Sequence, residues 1–299
     1  ADLAMYRTKR SRTGSYAVFD NLMHETALRR LELETDMRTA IARRELAAYY
    51  QPIVSLDQMR ITGFEALMRW FHPGRGLIAP EEFIPIAEEC GEIGRLTWWI
   101  MEEACRQLRD WQRSDPAFAD LSVSVNVSTH LFSEPDFAAR TIEILHATGL
   151  APAALHLEIT EQALLQHESR TIAELTRLQQ HGVRLHLDDF GTGYASLSYL
   201  SLFAYDTFKI DRSFISADGN LPRDHRIVDA LLSLGRVLDM GVIAEGVETS
   251  EQAERLRALN CRMAQGFWFS KPLPSASAGD LLMREKDLPL DNIRPVSRG

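Results

Sequence analysis

The chain has 299 residues, 45% hydrophobic and 25% charged, an ordinary globular composition that allows one large α/β barrel or two smaller domains. A formal net charge of −9 argues against a non-specific nucleic-acid surface, so an anionic ligand would have to be met by metals or by a few placed cations. Cys90, Cys105 and Cys261 are odd in number and form no CxxC pair, which fits a reducing, cytoplasmic compartment, and no apolar run has the length of a membrane span.

Ala1 in place of Met reads as the start of an excised fragment, whose parent could carry membrane or sensor segments. Residues 1–10 read as a short helix, 11–15 as a turn and 16–20 as a strand. From Asn21 to about Glu45 runs a charged helix with Leu28, Leu31, Met37 and Ile41 as a sparse apolar seam. It is read as a linker helix over 21–46; a dimerising or signalling helix is the alternative, but the heptads are irregular. Strands are expected over 49–55 and 60–70, around a turn at Asp57-Gln58, then helices over 80–90 and 96–113. Strand and helix alternate from there: strand 121–127, helix 136–148 ending at Gly149, strand 155–159, helix 168–181 ending at Gly182, strand 183–188. The series closes with strand 207–210, helix 226–238, strand 242–245, helix 250–259 and strand 263–265. Repeated strand–helix units over 47–285 predict a TIM-like (β/α)8 barrel with one antiparallel strand, followed by a tail over 286–299.

The acids fall at the ends of those strands. Glu65 lies in "GFEALMRW", Asn126 ends "SVSVNVS", Glu158 ends "LHLEITE" and Asp188-Asp189 end "RLHLDDF". Lys209 and Asp211 fall in "TFKIDRSF", Glu245 closes "GVIAEGVE" and Gln265 sits in "MAQGFWF". Any one of these acids could simply cap a helix or open a turn. Gathered on one barrel face, they would carry too much negative charge to persist without cations. Carboxylates with one amide suit Mg2+ or Mn2+ rather than zinc, and His72, His130, His156 and His186 make no recognisable metal cluster. Glu158, Asp188 and Asp189 could hold two cations, which together activate a water and stabilise the leaving oxygen of a phosphoryl displacement. Lys209 would supply a fixed positive charge there, or simply neutralise the acids from the barrel interior. Side chains of consecutive strand residues point to opposite faces, so Asp188 and Asp189 need not face each other.

The ordered run "YQPIVSL…GFEALMRWFHP", "VNVS", "LEITE", "DDFGTGYASLSYL", "KIDRSF", "AEGVET", "QGFWFSKPL" resembles EAL-domain cyclic di-GMP phosphodiesterases from about Tyr49 to Leu282. The resemblance implies a TIM-like barrel that hydrolyses one phosphodiester of cyclic di-GMP to linear 5′-pGpG, using two Mg2+ or Mn2+ ions. It also implies that Glu65, Asn126, Glu158 and Asp188 bind one metal, and that Asp188 bridges to a second held with Asp189 and Glu245. Lys209 would orient or polarise the attacking water, and Glu65, Lys209 and Glu245 form the catalytic set, with metal ligand or general base both open for Glu245. Arg69, Gln265 and Asp211 would meet substrate, and Glu161 would anchor the loop over 190–200, through which a homodimer is expected. Residues 1–20, with Met5-Tyr6 and "YAVFD", are similar to the tail of a GGDEF (diguanylate cyclase-like) domain, which implies such a domain upstream in the parent chain. The chain departs from the commoner patterns "LPVDTLKID" and "GCDxxQGY" with "LFAYDTFKID" and "NCRMAQGF", and Arg262 is expected to alter the lip of the site.

Every ligand that the resemblance requires is present, so an active enzyme is expected rather than a receptor that senses cyclic di-GMP without cleaving it. A Schiff-base aldolase using Lys209 is disfavoured, because surrounding acids keep that lysine protonated. Hydrolysis of some other phosphodiester is not separable on residues alone.

Overall fold

The computed structural model describes residues 21–133, 136–160, 168–191, 205–216 and 222–287. Glu161, residues 1–20, nearly all of the 190–200 loop and the tail from 288 onward lie outside them. The described chain forms two compact units: residues up to Ala47 with Arg69–Leu96, and Ala48–Met68 with the residues from Thr97 onward.

In the first unit, helix α1 (Asn21–Ala40) packs on α2 (Pro80–Glu89). Its buried face is Leu33, Met37 and Ala40, and the buried residues of α2 are Phe83, Ile86 and Ala87. The seam expected from sequence is therefore displaced: Leu28 and Leu31 are 47% and 58% exposed. At 100° per residue they point away from the stripe made by 33, 37 and 40. Arg29 pairs with Glu82 across the two helices at 2.6 Å. Strand β2 (Arg60–His72) ends in this unit, where Trp70 to His72 pair antiparallel with β3 (Gly76–Ile78). The buried Trp70 indole donates to Glu45 Oε2 at 3.0 Å.

The second unit is the barrel. Its strands are β1 (Leu46–Ser55), the first part of β2, β4 (Ser122–Asn126), β5 (Leu155–Thr160), β6 (Arg184–Phe190), β7 (Thr207–Ile210), β8 (Gly241–Ala244) and β9 (Met263–Gln265). They follow the order β1-β9-β8-β7-β6-β5-β4-β2, and a β1–β2 pairing closes the ring. From β2 through β9 all neighbours are parallel, whereas β1 runs antiparallel to β9, with Ile53 opposite Gln265 and Ser55 opposite Met263. This is the predicted (β/α)8 barrel with one reversed strand. A short strand, β10 (Leu273–Pro274), pairs with the start of β1.

Alternation sorts the strand residues. Val123, Val125, Leu157, Ile159, Leu185, Leu187, Phe208 and Ile210 are buried in a single hydrophobic cluster with residues of the surrounding helices. Those helices are α3 (Ile93–Ser114), α4 (Phe137–Thr148), α5 (Glu168–Gln180), α6 (Arg212–Ser216), α7 (Pro222–Val237), α8 (Ser250–Ala258) and α9 (Ser275–Asp287). The intervening positions are polar: Ser124, Glu158, His186 and Lys209 are also buried, and His156 is half-buried. The strands have thus committed their apolar side to the helices and a polar side to the barrel interior. Helix ends follow local chemistry: α4 stops at Gly149, whose φ of +70° suits a residue without a Cβ, and α8 opens on a Thr249/Gln252 capping box.

Candidate active site

Lys209, only 1% exposed, is the hub of the polar interior. Its Nζ lies 2.6 Å from Glu245 Oε1, 2.9 Å from Glu158 Oε2 and 3.4 Å from both Glu65 Oε2 and Asp188 Oδ1. Four strands, β2, β5, β6 and the end of β8, thereby deliver one carboxylate each to a single ammonium on β7. Two amides complete the network. Asn126 Nδ2 donates to Glu65 Oε1 at 2.7 Å, and Gln265 Nε2 donates to Glu65 Oε2 at 2.6 Å.

Gln265 Nε2 also donates to Gln51 Oε1 at 3.1 Å, and Gln51 Nε2 in turn donates to the Ser270 carbonyl. Gln51 was missed by the reading of strand ends, because β1 runs the other way and brings a mid-strand residue to this face. The available signal was a glutamine inside the apolar run "YYQPIV", where a buried amide must have a partner.

One cation for four acids leaves the site short of positive charge. Burial pushes Glu158 well above the carboxylate range and the Glu65 charge adds to this, with only partial relief from Lys209. Burial raises Glu65 too, but Lys209 and the hydrogen bonds from Gln265 and Asn126 outweigh it and hold that carboxyl low. Burial pushes Glu245 up to about 7 despite the Lys209 charge, and Asp188 contributes to the rise. Desolvation works against the charged form of Lys209, yet the surrounding carboxylates raise it well above an ordinary lysine. It stays an ammonium, which makes it unsuitable as a Schiff-base nucleophile.

The Asp188-Asp189 corner is a break in the strand. The β6–β7 register shifts between Leu187 and Phe190, and Asp189 takes a φ of +55°. Asp188 turns inward to Lys209, whereas Asp189 leaves the ladder and is exposed. Each of Asp188, Asp189 and Glu245 offers an oxygen, and the three lie within 4.8 Å of one another. Burial followed by the charges of Asp188 and Asp211 raises Asp189. Just beyond, Gly191 has a φ of +97°, and a Cβ there would lie 3.1 Å from the Phe214 ring.

These donors fit a divalent cation. They are hard oxygens from carboxylates and amides, and the buried Glu158 Oε1 and Gln265 Oε1 have no hydrogen-bond partner. Among the sequence-predicted residues, Glu65, Asn126, Glu158, Asp188, Lys209, Glu245 and Gln265 meet in one network, with Asp189 beside it. Asp211 has a turn role as well: its Oδ1 accepts from Ser213 N at 2.9 Å at the start of α6. Arg69 falls in the first unit. Arg262 is a correction. It precedes β9, whose site end is Gln265, and its carbonyl accepts from Leu56 N at 2.8 Å, so it lies at the opposite end of the barrel from the lip. Below Glu158, the half-buried His156 and the buried His186 bring their rings together, tilted by 44° with centroids 4.4 Å apart. Burial holds both of them neutral, with His156 lowered to about 4.

Comparison with known proteins gives the same picture. The family model described as "EAL domain" matches residues 34–272. The chain is 39% identical over 275 residues to the bifunctional diguanylate cyclase/cyclic di-GMP phosphodiesterase MucR of Pseudomonas aeruginosa, covering 92% of this chain and 40% of MucR. It is 37% identical over 282 residues to the cyclic di-GMP phosphodiesterase NbdA of the same organism, covering 94% of this chain and 36% of NbdA. The chain therefore spans about two fifths or less of these curated relatives. Among solved structures, the c-di-GMP complex of the PaMucR phosphodiesterase superposes with a TM-score of 0.78 at 39% identity, covering 83% of this chain and 99% of that one.

Proposed function

Because this chain belongs to the EAL domain family, whose members include cyclic di-GMP phosphodiesterases, we propose that it hydrolyses cyclic di-GMP to linear 5′-pGpG. The observation that carries the reading is the ring of four carboxylates and two amides around Lys209, with buried oxygens of Glu158 and Gln265 left unpartnered. Glu65, Asn126, Glu158 and Asp188 would hold one Mg2+ or Mn2+, and Asp188, Asp189 and Glu245 a second. When bound, such ions supply Lewis acidity and lower the pKa of water at neutral pH.

The chain's own residues do the rest. Lys209 brings a permanent positive charge, already desolvated, to the point where phosphate charge and the attacking oxygen meet. Glu245, raised toward neutrality, is placed to take up a proton. Gln265, fixed through Gln51, orients Glu65 and offers a free amide oxygen. Asp211, Arg69 and Glu161 are assigned to substrate and to the loop after Asp189, and the homodimer and an upstream GGDEF-like domain belong to the same proposal.

Mn2+ titration of the chain and of Asp188→Asn, read by calorimetry alongside pGpG formation, tests it. Two Mn2+ per chain are expected, with both positions weakened at least about tenfold in the variant, the loss of one charge-assisted ligand. Unchanged Mn2+ affinity and turnover in Asp188→Asn would remove the bridging assignment.

A further inference from the structure

At the end of the barrel opposite the carboxylates lies an open cavity of about 530 Å³ whose charged lining residues are exposed. Its charged lining is Asp57, Asp229, Arg236 and Arg262, and Leu259 and Ala258 give it an apolar edge. The elements fix its place. Asp57 follows β1, which ends beside the start of β9; Arg236 is the next-to-last residue of α7, ahead of β8; Arg262 immediately precedes β9.

Two guanidiniums and two carboxylates share this cavity, yet among the described residues none of the four makes a salt bridge. Arg29, Arg95 and Arg106 each hold a carboxylate at 2.6 Å, whereas the exposed Arg113 and Arg184, like Arg236 and Arg262, make no salt bridge among the described residues. Arg236 instead donates to Ser233 Oγ at 2.7 Å. The rim beneath is fixed, because Leu56 N donates to the Arg262 carbonyl and Arg257 Nε donates to the Leu56 carbonyl, both at 2.8 Å.

We propose that this cavity is a second ligand site, for a guanine mononucleotide. Its volume is in the range of small-molecule sites. A phosphate is met by the two guanidiniums, whose planar forks match its oxygens. Guanine presents N1–H and the 2-amino group side by side, a donor pair for an acceptor-only carboxylate of Asp57 or Asp229. Adenine places an acceptor, N1, on that edge and is disfavoured. Leu259 and Ala258 offer the ring an apolar face. The inference is independent of the catalytic reading.

Calorimetric titration of the full chain with 5′-GMP, in EDTA so that phosphate is not drawn to the carboxylate ring, tests the site. Saturable binding is expected, with AMP and inorganic phosphate each at least about tenfold weaker, the worth of one good paired contact. The double variant Arg236→Gln/Arg262→Gln should lose GMP at least about tenfold while its circular dichroism is unchanged. The variant Asp57→Asn/Asp229→Asn should erase most of the preference for GMP over AMP. The proposal is overturned if GMP does not bind, if GMP binds the arginine variant undiminished, or if AMP or phosphate equals GMP.

Discussion

Replacing Lys209 by methionine removes the ammonium shared by Glu65, Glu158, Asp188 and Glu245 while keeping much of the stem's volume. At the observed separations of 2.6, 2.9, 3.4 and 3.4 Å, each pair is worth roughly 5–6 kcal/mol at an effective dielectric near 20. Four such attractions cannot all be forfeited by a domain with about 5–15 kcal/mol of stability, so the carboxylates must take up protons instead. Losing one partner of a buried ion pair costs about 3–5 kcal/mol, and that is the loss expected at pH 8. The pH dependence has a definite sign. Glu158 and Glu245 already sit above their ordinary values, and without the ammonium they rise further. The folded variant then holds protons that the unfolded chain has released above about pH 4.3, so stability present in acid is lost as pH rises through the folded-state values. Urea denaturation in EDTA at pH 5 and pH 8, with wild type as reference, measures this directly. The variant should be close to wild type at pH 5 and clearly weaker at pH 8, and Mn2+ should restore part of the difference. An equal loss at both pH values, or a larger one at pH 5, would refute the view that Lys209 is the counter-charge of this ring.

Gln51→Ala should free the Gln265 amide and raise KM for cyclic di-GMP more than it lowers kcat, which steady-state kinetics with Mn2+ separates; an unchanged KM would place Gln51 outside the site. Glu285, buried in α9 and accepting from Ile61 N at 2.7 Å, is pushed up to about 7, first by burial. Its raised value favours folding in acid and works against it as pH climbs toward 7, so Glu285→Gln, which keeps an acceptor, should gain about 1–2 kcal/mol at pH 8 after solvent screening and nothing at pH 4. Gly266→Ala should destabilise by about 1–3 kcal/mol or more, seen as a lower Tm, because a Cβ there would lie 2.1 Å from the Val247 carbonyl oxygen.

The alternation of strands and helices was legible because each barrel strand is bounded by glycines, caps or charged turns, and the reversed β1 followed from its tight turn into β2. Carboxylates at strand ends pointed to one face for the same reason: parallel strands finish together. Other features depend on contacts distant in sequence. The buried face of α1 is chosen by α2 some fifty residues on, so Leu33 and Ala40 outrank Leu28 and Leu31 even though all lie in one charged stretch. Gln51 escaped a rule based on strand ends because its strand is inverted. Arg262 was misplaced since a three-residue strand, β9, separates opposite ends of the barrel, and neighbours in sequence then serve different faces. The outward swing of Asp189 rests on a bulge and a positive φ, which the acidic pair and Gly191 suggested but did not locate.

Incubating the chain with cyclic di-GMP and Mn2+, and resolving the products by chromatography, tests the central claim most directly. Metal-dependent formation of linear 5′-pGpG, abolished by EDTA and by Asp188→Asn, is the expected result. Cyclic di-GMP that binds but remains intact with saturating Mn2+ would contradict it and leave a receptor in place of an enzyme.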